Sequence, residues 1–385
     1  MYKMKWTVLF SSLPFLCIFL FQPFCTFAAS SPVAASTSGP KATAEAVNAW
    51  NAVVSKAKEE GKLVISATSY TPATRQAIAK RFKDAFGIEI EYIVGGRSDE
   101  SANKLLAERR AGLYLQDIFI SGAFTGPITL KPAGAFDPLE PALMQPEVLD
   151  KKLWVGGKLA WQDDDRKGIM IMLMPMSSSC IINTALVKPD EIRVYDDFLN
   201  PKWKDKIVLD DPTVGGPGIN FISAAVTVKG WDYVKKLATQ KPVIIRDKRL
   251  EVEWVAKGKY SISLGVAGDQ TMAFIKAGAP IMEIVPKDDV AAVAGGNNLF
   301  LINRAPHPNA AKVFINWILG KEGQTILTKA VNMASVKIDV ATDHLPPTRR
   351  FDPAKKYFLL GHEDFVLKYN EYTAKAKEVF GELLQ

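Results

Sequence analysis

Between Lys62 and Gly122, apolar runs of strand length alternate with stretches of helical period, and this alternation restricts the fold more than any other feature. Leu63-Val64-Ile65-Ser66-Ala67, Ile88 to Val94 and Asp117-Ile118-Phe119-Ile120 read as strands. Between them, a helix with Ile78, Phe82, Ala85 and Phe86 on one face stops at Gly87, and another runs from about Ser98 to Ala111. An earlier helix carries Val47, Trp50, Val53, Val54 and Ala57 at helical spacing and ends at Gly61. Strands separated by single helices predict an α/β fold with a parallel sheet and right-handed crossovers.

The same design returns after a different middle. Ile169 to Pro175 and Ser177 to Asn183 form an apolar and hydroxyl-rich stretch interrupted by Pro175. It reads as two extended segments, or one kinked strand, crossing between lobes, with its methionines as core filler or pocket wall. Lys206-Ile207-Val208-Leu209 is then a strand, Asp210 to Gly218 a loop, and a helix starts near Ile219. Val243 to Arg246, a helix around Leu250 to Lys257, and Ser261 to Gly265 complete the second pattern. Two α/β lobes joined by crossing segments describe a clamshell whose cleft closes on a ligand by hinge motion.

At the N-terminus, Lys3 and Lys5 precede an apolar run from Val8 to Phe21, with Thr26-Phe27-Ala28 at the cleavage positions. Residues 1–28 therefore read as a secretory signal peptide cleaved near Ala28, followed by a flexible linker over 29–44. Pro14, Pro23 and the shortness of the run argue against an uncleaved anchor. Phe24, where a lipoprotein cut needs a small residue, argues against lipid attachment at Cys25. Cleavage removes Lys3, Lys5 and no acid, so the formal charge falls from +7 to +5. The charges are interspersed, which excludes a tract for nucleic acid. Cys17 and Cys25 leave with the leader, so the mature chain retains Cys180 and forms no internal disulfide.

In such sheets, ligands bind beyond the carboxyl ends of the strands, where loops and helix N-termini converge. The candidate residues in the first lobe are Thr68, Ser69, Tyr70, Gly95, Gly96, Arg97, Ser121 and Gly122. Those in the second are Gly215, Gly216, Arg246 and Asp269. Hydroxyls and glycine amides here also serve as helix caps and turns. Arg97 is equally suited to a surface helix start, and Arg246 has Asp247 and Glu251 as rival partners. For catalysis the sequence offers no Ser-His-Asp or Cys-His signature, nucleophile elbow, HExxH, Walker or dinucleotide motif, so no catalytic residue, cofactor or metal is expected. Asp163-Asp164-Asp165 reads as a solvated acidic turn, because consecutive residues do not all point at one ion.

The segment Lys104 to Gly112 leading into Asp117 to Gly122 resembles periplasmic solute-binding proteins of ABC importers, in the ferric-iron-binding-like branch. So does Gly295-Gly296-Asn297-Asn298, continuing through Asn303-Arg304-Ala305-Pro306-His307-Pro308 to Trp317 and Lys321-Glu322-Gly323-Gln324. The resemblance, from about Lys62 to Asn332, implies a two-lobe type II binding fold: a monomer in the periplasm, delivering its ligand to a membrane permease. It implies lobe 1 over 45–175 and 285–342, lobe 2 over 176–284, and no enzymatic activity. Ferric-binding relatives typically hold the metal with neighbouring tyrosines of the second lobe, whereas Tyr195, Tyr233 and Tyr260 here stand apart. One phenolate from Tyr70 is too few for Fe(III). Hydroxyls, amides, helix N-termini, Arg97 and Arg246 suit a small organic anion instead: a carboxylate, sulfonate or phosphate. The alternatives are a ferric ion with a synergistic anion and, from another class, a transferase built on the same fold.

Residues 343–385 form a helical extension. Leu345-Pro346-Pro347 and Asp352-Pro353 open turns, and Glu363 to Leu384 reads as one amphipathic helix or two. Phe365, Tyr369, Tyr372, Ala376 and Phe380 fall near one face and are expected to pack on a lobe.

Overall fold

Local capping chemistry sets the first elements of the chain, which a computed structural model describes over residues 43–384 except 69, 95–97, 175–179, 267, 289, 293–296 and 352–356. Residues 1–42, with the expected leader and most of the linker, lie outside the described residues. Helix α1 (Ala44–Glu60) opens where the Thr43 hydroxyl accepts the Ala46 N–H and closes at Gly61, φ +71°. Strand β1 (Lys62–Ala67) leads to α2 (Pro72–Phe86), capped by Thr71 and ended by Gly87. Then follow β2 (Glu89–Ile93), α3 (Ser98–Arg110), β3 (Ile118–Ser121), β4 (Phe136–Asp137), α4 (Pro146–Leu149), β5 (Ile169–Ile171) and β6 (Leu173–Met174).

The next stretch supplies β7 (Cys180–Asn183), β8 (Ile207–Asp210), α5 (Pro217–Lys229), α6 (Trp231–Ala238), β9 (Val243–Ile245), α7 (Lys248–Ala256), β10 (Ile262–Leu264), α8 (Gly268–Lys276) and β11 (Ile281–Ile284). After β12 (Val290–Ala292) come β13 (Asn298–Ile302), α9 (Pro308–Leu319), α10 (Lys321–Val331), β14 (Ala334–Ser335), β15 (Tyr357–Leu359), α11 (Glu363–Val366) and α12 (Tyr369–Phe380).

Two sheets divide the main strands into two lobes. The first runs β2-β1-β3-β13-β4, with β5 also against β13. Here β1 is parallel to β2 and β3, and β13 is antiparallel to β3, β4 and β5. The second runs β11-β7-β10-β8-β9, with β8 parallel to β9 and β10. Strands β1, β3 and β13 are buried along almost their whole length, which explains their continuous apolar sequence. Phe82 of α2 meets Phe314 and Trp317 of α9, with centroids 5.4 Å apart in both pairs. Met170, Met172 and Met174 fill the same core. In the second lobe Tyr195, Phe198, Phe221, Tyr233 and Leu264 share a core with Cys180, whose thiol burial pushes well up.

A buried carboxylate pins lobe 1. Asp117, at the foot of β3, accepts the Val64 N–H at 2.8 Å and the His307 N–H at 2.7 Å, and lies 2.9 Å from His307 Nδ1. It thereby holds β1 and the start of α9 to β3, and its loss should cost on the order of 3 kcal/mol. The segments that carry the family resemblance act as similar braces. Arg109 donates to the Ala135 carbonyl at 3.1 Å and to Asn303 Oδ1, while Asn303 Nδ2 reaches the Gly134 carbonyl at 2.6 Å.

The acidic turn is solvated at Asp164 and Asp165, as expected, but not at Asp163. Asp163 is buried, and its carboxylate accepts the Gly168 and Ile169 N–H groups, closing the loop that leads into β5. Orphaned amides inside that loop, rather than solvent, are its partners.

Candidate functional site

The lobe 1 edge of the cleft is built where β1 and β3 end. The Thr68 N–H donates to the Ile120 carbonyl at 3.2 Å, tying the two strand ends together, and the Thr68 hydroxyl lies 2.7 Å from that of Ser98 at the start of α3. Ser121 is wholly buried and turns its hydroxyl to the Gly122 carbonyl at 3.2 Å. Opposite Ser121 in register stands Asn298 of β13, whose Nδ2 donates to Gln162 Oε1 at 2.7 Å. Gln162 in turn donates to the Ala123 carbonyl at 2.7 Å. Asn298 Oδ1 is buried without a hydrogen-bond partner among the described residues.

Tyr70 does not present its ring as an open loop would. It enters the lobe 1 core at 4% exposure, where burial, reinforced by nearby Tyr92, holds the phenol pKa well above its usual range. Ser69, Gly95, Gly96 and Arg97 lie outside the described residues. Asp269 stands in the first turn of α8.

The lobe 2 edge is charged. Asp210, last in β8, accepts the Gly218 N–H at 2.8 Å near the start of α5. Close packing makes this possible: a Cβ on Gly218 would overlap the Asp210 carbonyl, and one on Gly265 (φ +74°) would lie 2.6 Å from Gly218 Cα. Helix α5 therefore starts directly on the ends of β8 and β10, and Gly216 gives it no side-chain cap. Its N-terminal amides and dipole favour negative charge.

Asp211 accepts the Thr213 N–H at 2.8 Å, the Thr213 hydroxyl at 2.6 Å and Arg246 Nε at 2.7 Å. Burial raises its carboxyl pKa, but the Thr213 and Arg246 bonds outweigh that effect and leave it below the usual range. Arg246 thus pairs with neither rival weighed from sequence. Asp247 caps α7 through the Arg249 and Leu250 N–H groups, and Glu251 accepts from the Ser263 hydroxyl in the interior. Desolvation, then Asp210, pushes the Glu251 carboxyl well up. The Arg246 side chain is 73% exposed against 4% for Asp211, so Nε is anchored and the two Nη groups face outward. Lys248 adds a second cation, its Nζ lying 3.9 Å from where a Gly216 Cβ would be.

The edges meet at Gly215, a candidate already from sequence, and at two residues that local sequence signals did not single out for the site. Phe124 follows β3, Gly215 precedes α5, and Tyr369 opens α12. The Phe124 and Tyr369 ring centroids are 4.3 Å apart, and a Cβ on Gly215 would lie 3.5 Å from the Tyr369 hydroxyl and 3.9 Å from Phe124. Gln162, Asn298 and Lys248 were also missed, because each acquires its role from a partner distant in sequence.

A separate cavity of about 260 Å³ opens on lobe 1, lined by Leu159, Trp161, Ile171, Leu173, Met174 and Val336. At its rim Lys167 pairs with Glu140 at 2.7 Å, and His362 Nε2 lies 3.3 Å from Asp164. Among the described residues, no helix is long and apolar enough to cross a membrane, and no cluster of three His, Cys, Asp or Glu side chains is placed to hold a metal.

Residues 77–348 match the family described as bacterial extracellular solute-binding protein. An uncharacterized protein of Haemophilus influenzae is 23% identical over 167 residues, 42% of this chain and 47% of that protein, so the match spans about half its length. The periplasmic binding protein AfuA from Actinobacillus pleuropneumoniae, with fructose-6-phosphate bound, superposes with a TM-score of 0.59 at 18% identity, covering 84% of this chain and 97% of that one. The Trichodesmium protein IdiA (FutA), in complex with iron and citrate, gives 0.62 at 17% identity, with coverage of 84% and 99%.

Proposed function

We propose that this chain, which belongs to the bacterial extracellular solute-binding protein family, captures a small organic anion between its lobes and delivers it to the permease of an ABC importer. Arg246 carries the reading: the buried Asp211 fixes its Nε and leaves two Nη donors exposed. A guanidinium held this way offers a fork to a carboxylate, sulfonate or phosphate. The α5 N-terminus and Lys248 reinforce the field, while Thr68 and the Asn298 amide offer neutral contacts from lobe 1. Gly215, Gly216, Ser121 and Gly122 supply backbone at the two edges. Ser69, Gly95, Gly96, Arg97 and Asp269 remain candidates from sequence.

Structural neighbours hold fructose-6-phosphate in one case and iron with citrate in another. Two observations favour the first chemistry. Tyr195 and Tyr233 are buried in the lobe 2 core, with the Tyr233 hydroxyl on the Tyr195 carbonyl at 2.6 Å. Tyr260 packs on Trp254, centroids 5.5 Å apart. We place the mature monomer in the periplasm after cleavage near Ala28.

The test is native mass spectrometry of protein purified without a metal-affinity step, followed by calorimetry with fructose-6-phosphate, citrate and ferric citrate. An organic acid in the native mass, and a loss of affinity by roughly ten- to a thousand-fold in Arg246→Ala, is the expected outcome. Bound iron with affinity untouched by that substitution would promote the ferric alternative, and turnover of a bound candidate would reveal an enzyme.

A further inference from the structure

The family match ends at residue 348, yet the chain beyond it is built into both lobes. Three groups near α11 belong to lobe 1. The Glu363 N–H donates to the Gln162 carbonyl at 3.0 Å, Gln162 Nε2 donates to the Gly361 carbonyl, and Lys131 Nζ meets the Glu363 carboxylate at 2.6 Å. That ion pair is sheltered, with side-chain exposures of 12% and 15%.

From Tyr372 onward the tail belongs to lobe 2. Ala376 and Phe380 are wholly buried in its core, and Tyr372 packs on Trp231 with centroids 5.6 Å apart. Leu360 and Phe365 also pack on Ala224 of α5. Between the two sets stands Tyr369, with its ring on Phe124 of lobe 1.

The two grips are unequal. Pulling Ala376 and Phe380 from a core exposes apolar surface, whereas releasing lobe 1 parts one ion pair, two hydrogen bonds to Gln162 and one ring face, all polar or limited contacts that water replaces at low cost. When the lobes separate, the weaker set yields. We propose that residues 360–384 form a clasp that rides with lobe 2 and grips lobe 1 only when the cleft is closed, so that opening requires the Lys131–Glu363 and Phe124–Tyr369 contacts to break.

Gln162 makes the clasp responsive to the cleft. Its side chain bonds Asn298 at the cleft floor and Gly361 in the tail, so a ligand that orders the floor also orders the grip. Contacts made in one state and lost in the other shift the equilibrium by their own free energy.

The test labels the mature chain at Lys80→Cys on α2 and Lys235→Cys on α6 and reads the interlobe distance by pulsed electron resonance; the native Cys180 is buried and escapes labelling. The inference rests on the capture reading, but no ligand is added, so an error in ligand class leaves the result unchanged. Glu363→Gln and Tyr369→Ala should each raise the ratio of long to short distances by about three- to tenfold, and the pair by more. Lys131→Met, which leaves the tail intact, should do the same and guards against misfolding of the tail variants. Hydrogen exchange should show α12 still protected in all of them. Unchanged distances across the three substitutions, or loss of α12 protection on opening, would overturn the clasp.

Discussion

The two lobes bring different chemistry to one cleft. Among the described residues, lobe 1 presents neutral groups already engaged with one another: Thr68 with Ser98, Ser121 with Gly122, Gln162 with Asn298. Lobe 2 presents charge: Asp210 and Asp211 hold the loop inside, and Arg246 and Lys248 face outward. The difference divides the labour in the proposed function. Lobe 2 reads the sign of the ligand over a distance, and lobe 1 reads shape and hydrogen bonds once the cleft closes.

The largest effect that would break this division is steric. Gly218→Ala forces a methyl group into the Asp210 carbonyl, so α5 must lift from β8 and β10. Overpacking against backbone of this kind costs roughly 3 kcal/mol or more. Thermal melting should show a loss of that order, and ligand affinity should fall with it because the helix N-terminus moves. An unperturbed melt would mean that the charged edge does not depend on this close seat.

A second experiment sharpens the contrast through pH. Glu251 has a folded pKa held above its unfolded value, chiefly by desolvation and then by Asp210. A raised acid binds more protons folded than unfolded, so its contribution is full below the unfolded pKa, near 4.3, and declines as pH rises toward the folded value. Asp211 has the opposite sign: its depressed pKa contributes stability above about pH 4 that is lost only on further acidification. Stability of the parent to denaturant should therefore weaken as pH rises above the unfolded value near 4.3, by up to about 1.4 kcal/mol per pH unit. Glu251→Gln keeps a partner for Ser263 and should flatten that slope. Equal slopes in parent and variant would show a Glu251 that stays ionised.

Much of the fold was legible because its signals are local. Gly61 and Gly87 end the first two helices where the sequence places those ends, and continuous apolar runs mark buried strands. Pro308 opens α9, where its missing N–H costs nothing and its fixed φ suits the first helical turn. The site was less legible because its contacts are set by topology. Arg246 meets Asp211, 35 positions away, because β9 lies parallel beside β8, whereas sequence proximity favoured Asp247 and Glu251. Tyr70 follows a strand end as a ligand-facing residue would, yet the chain turns it into the core. Tyr369 reads as one aromatic of an amphipathic face, and only the tail's path across both lobes brings it to Phe124.

The smallest effect tests lobe 1 alone. Thr68→Val removes the hydroxyl bonded to Ser98 while keeping the branched shape and the backbone bond from Thr68 N to Ile120. A neutral hydrogen bond at a half-buried edge is worth about 0.5–1.5 kcal/mol, so affinity for the bound anion should fall by roughly two- to tenfold. If lobe 1 supplies only neutral contacts, that loss stays constant as ionic strength rises, whereas the loss in Arg246→Ala shrinks, because salt screens charge and not hydroxyl bonding. A Thr68→Val deficit that also fades with salt would place this edge inside the same electrostatic field as Arg246 and remove the distinction between the lobes.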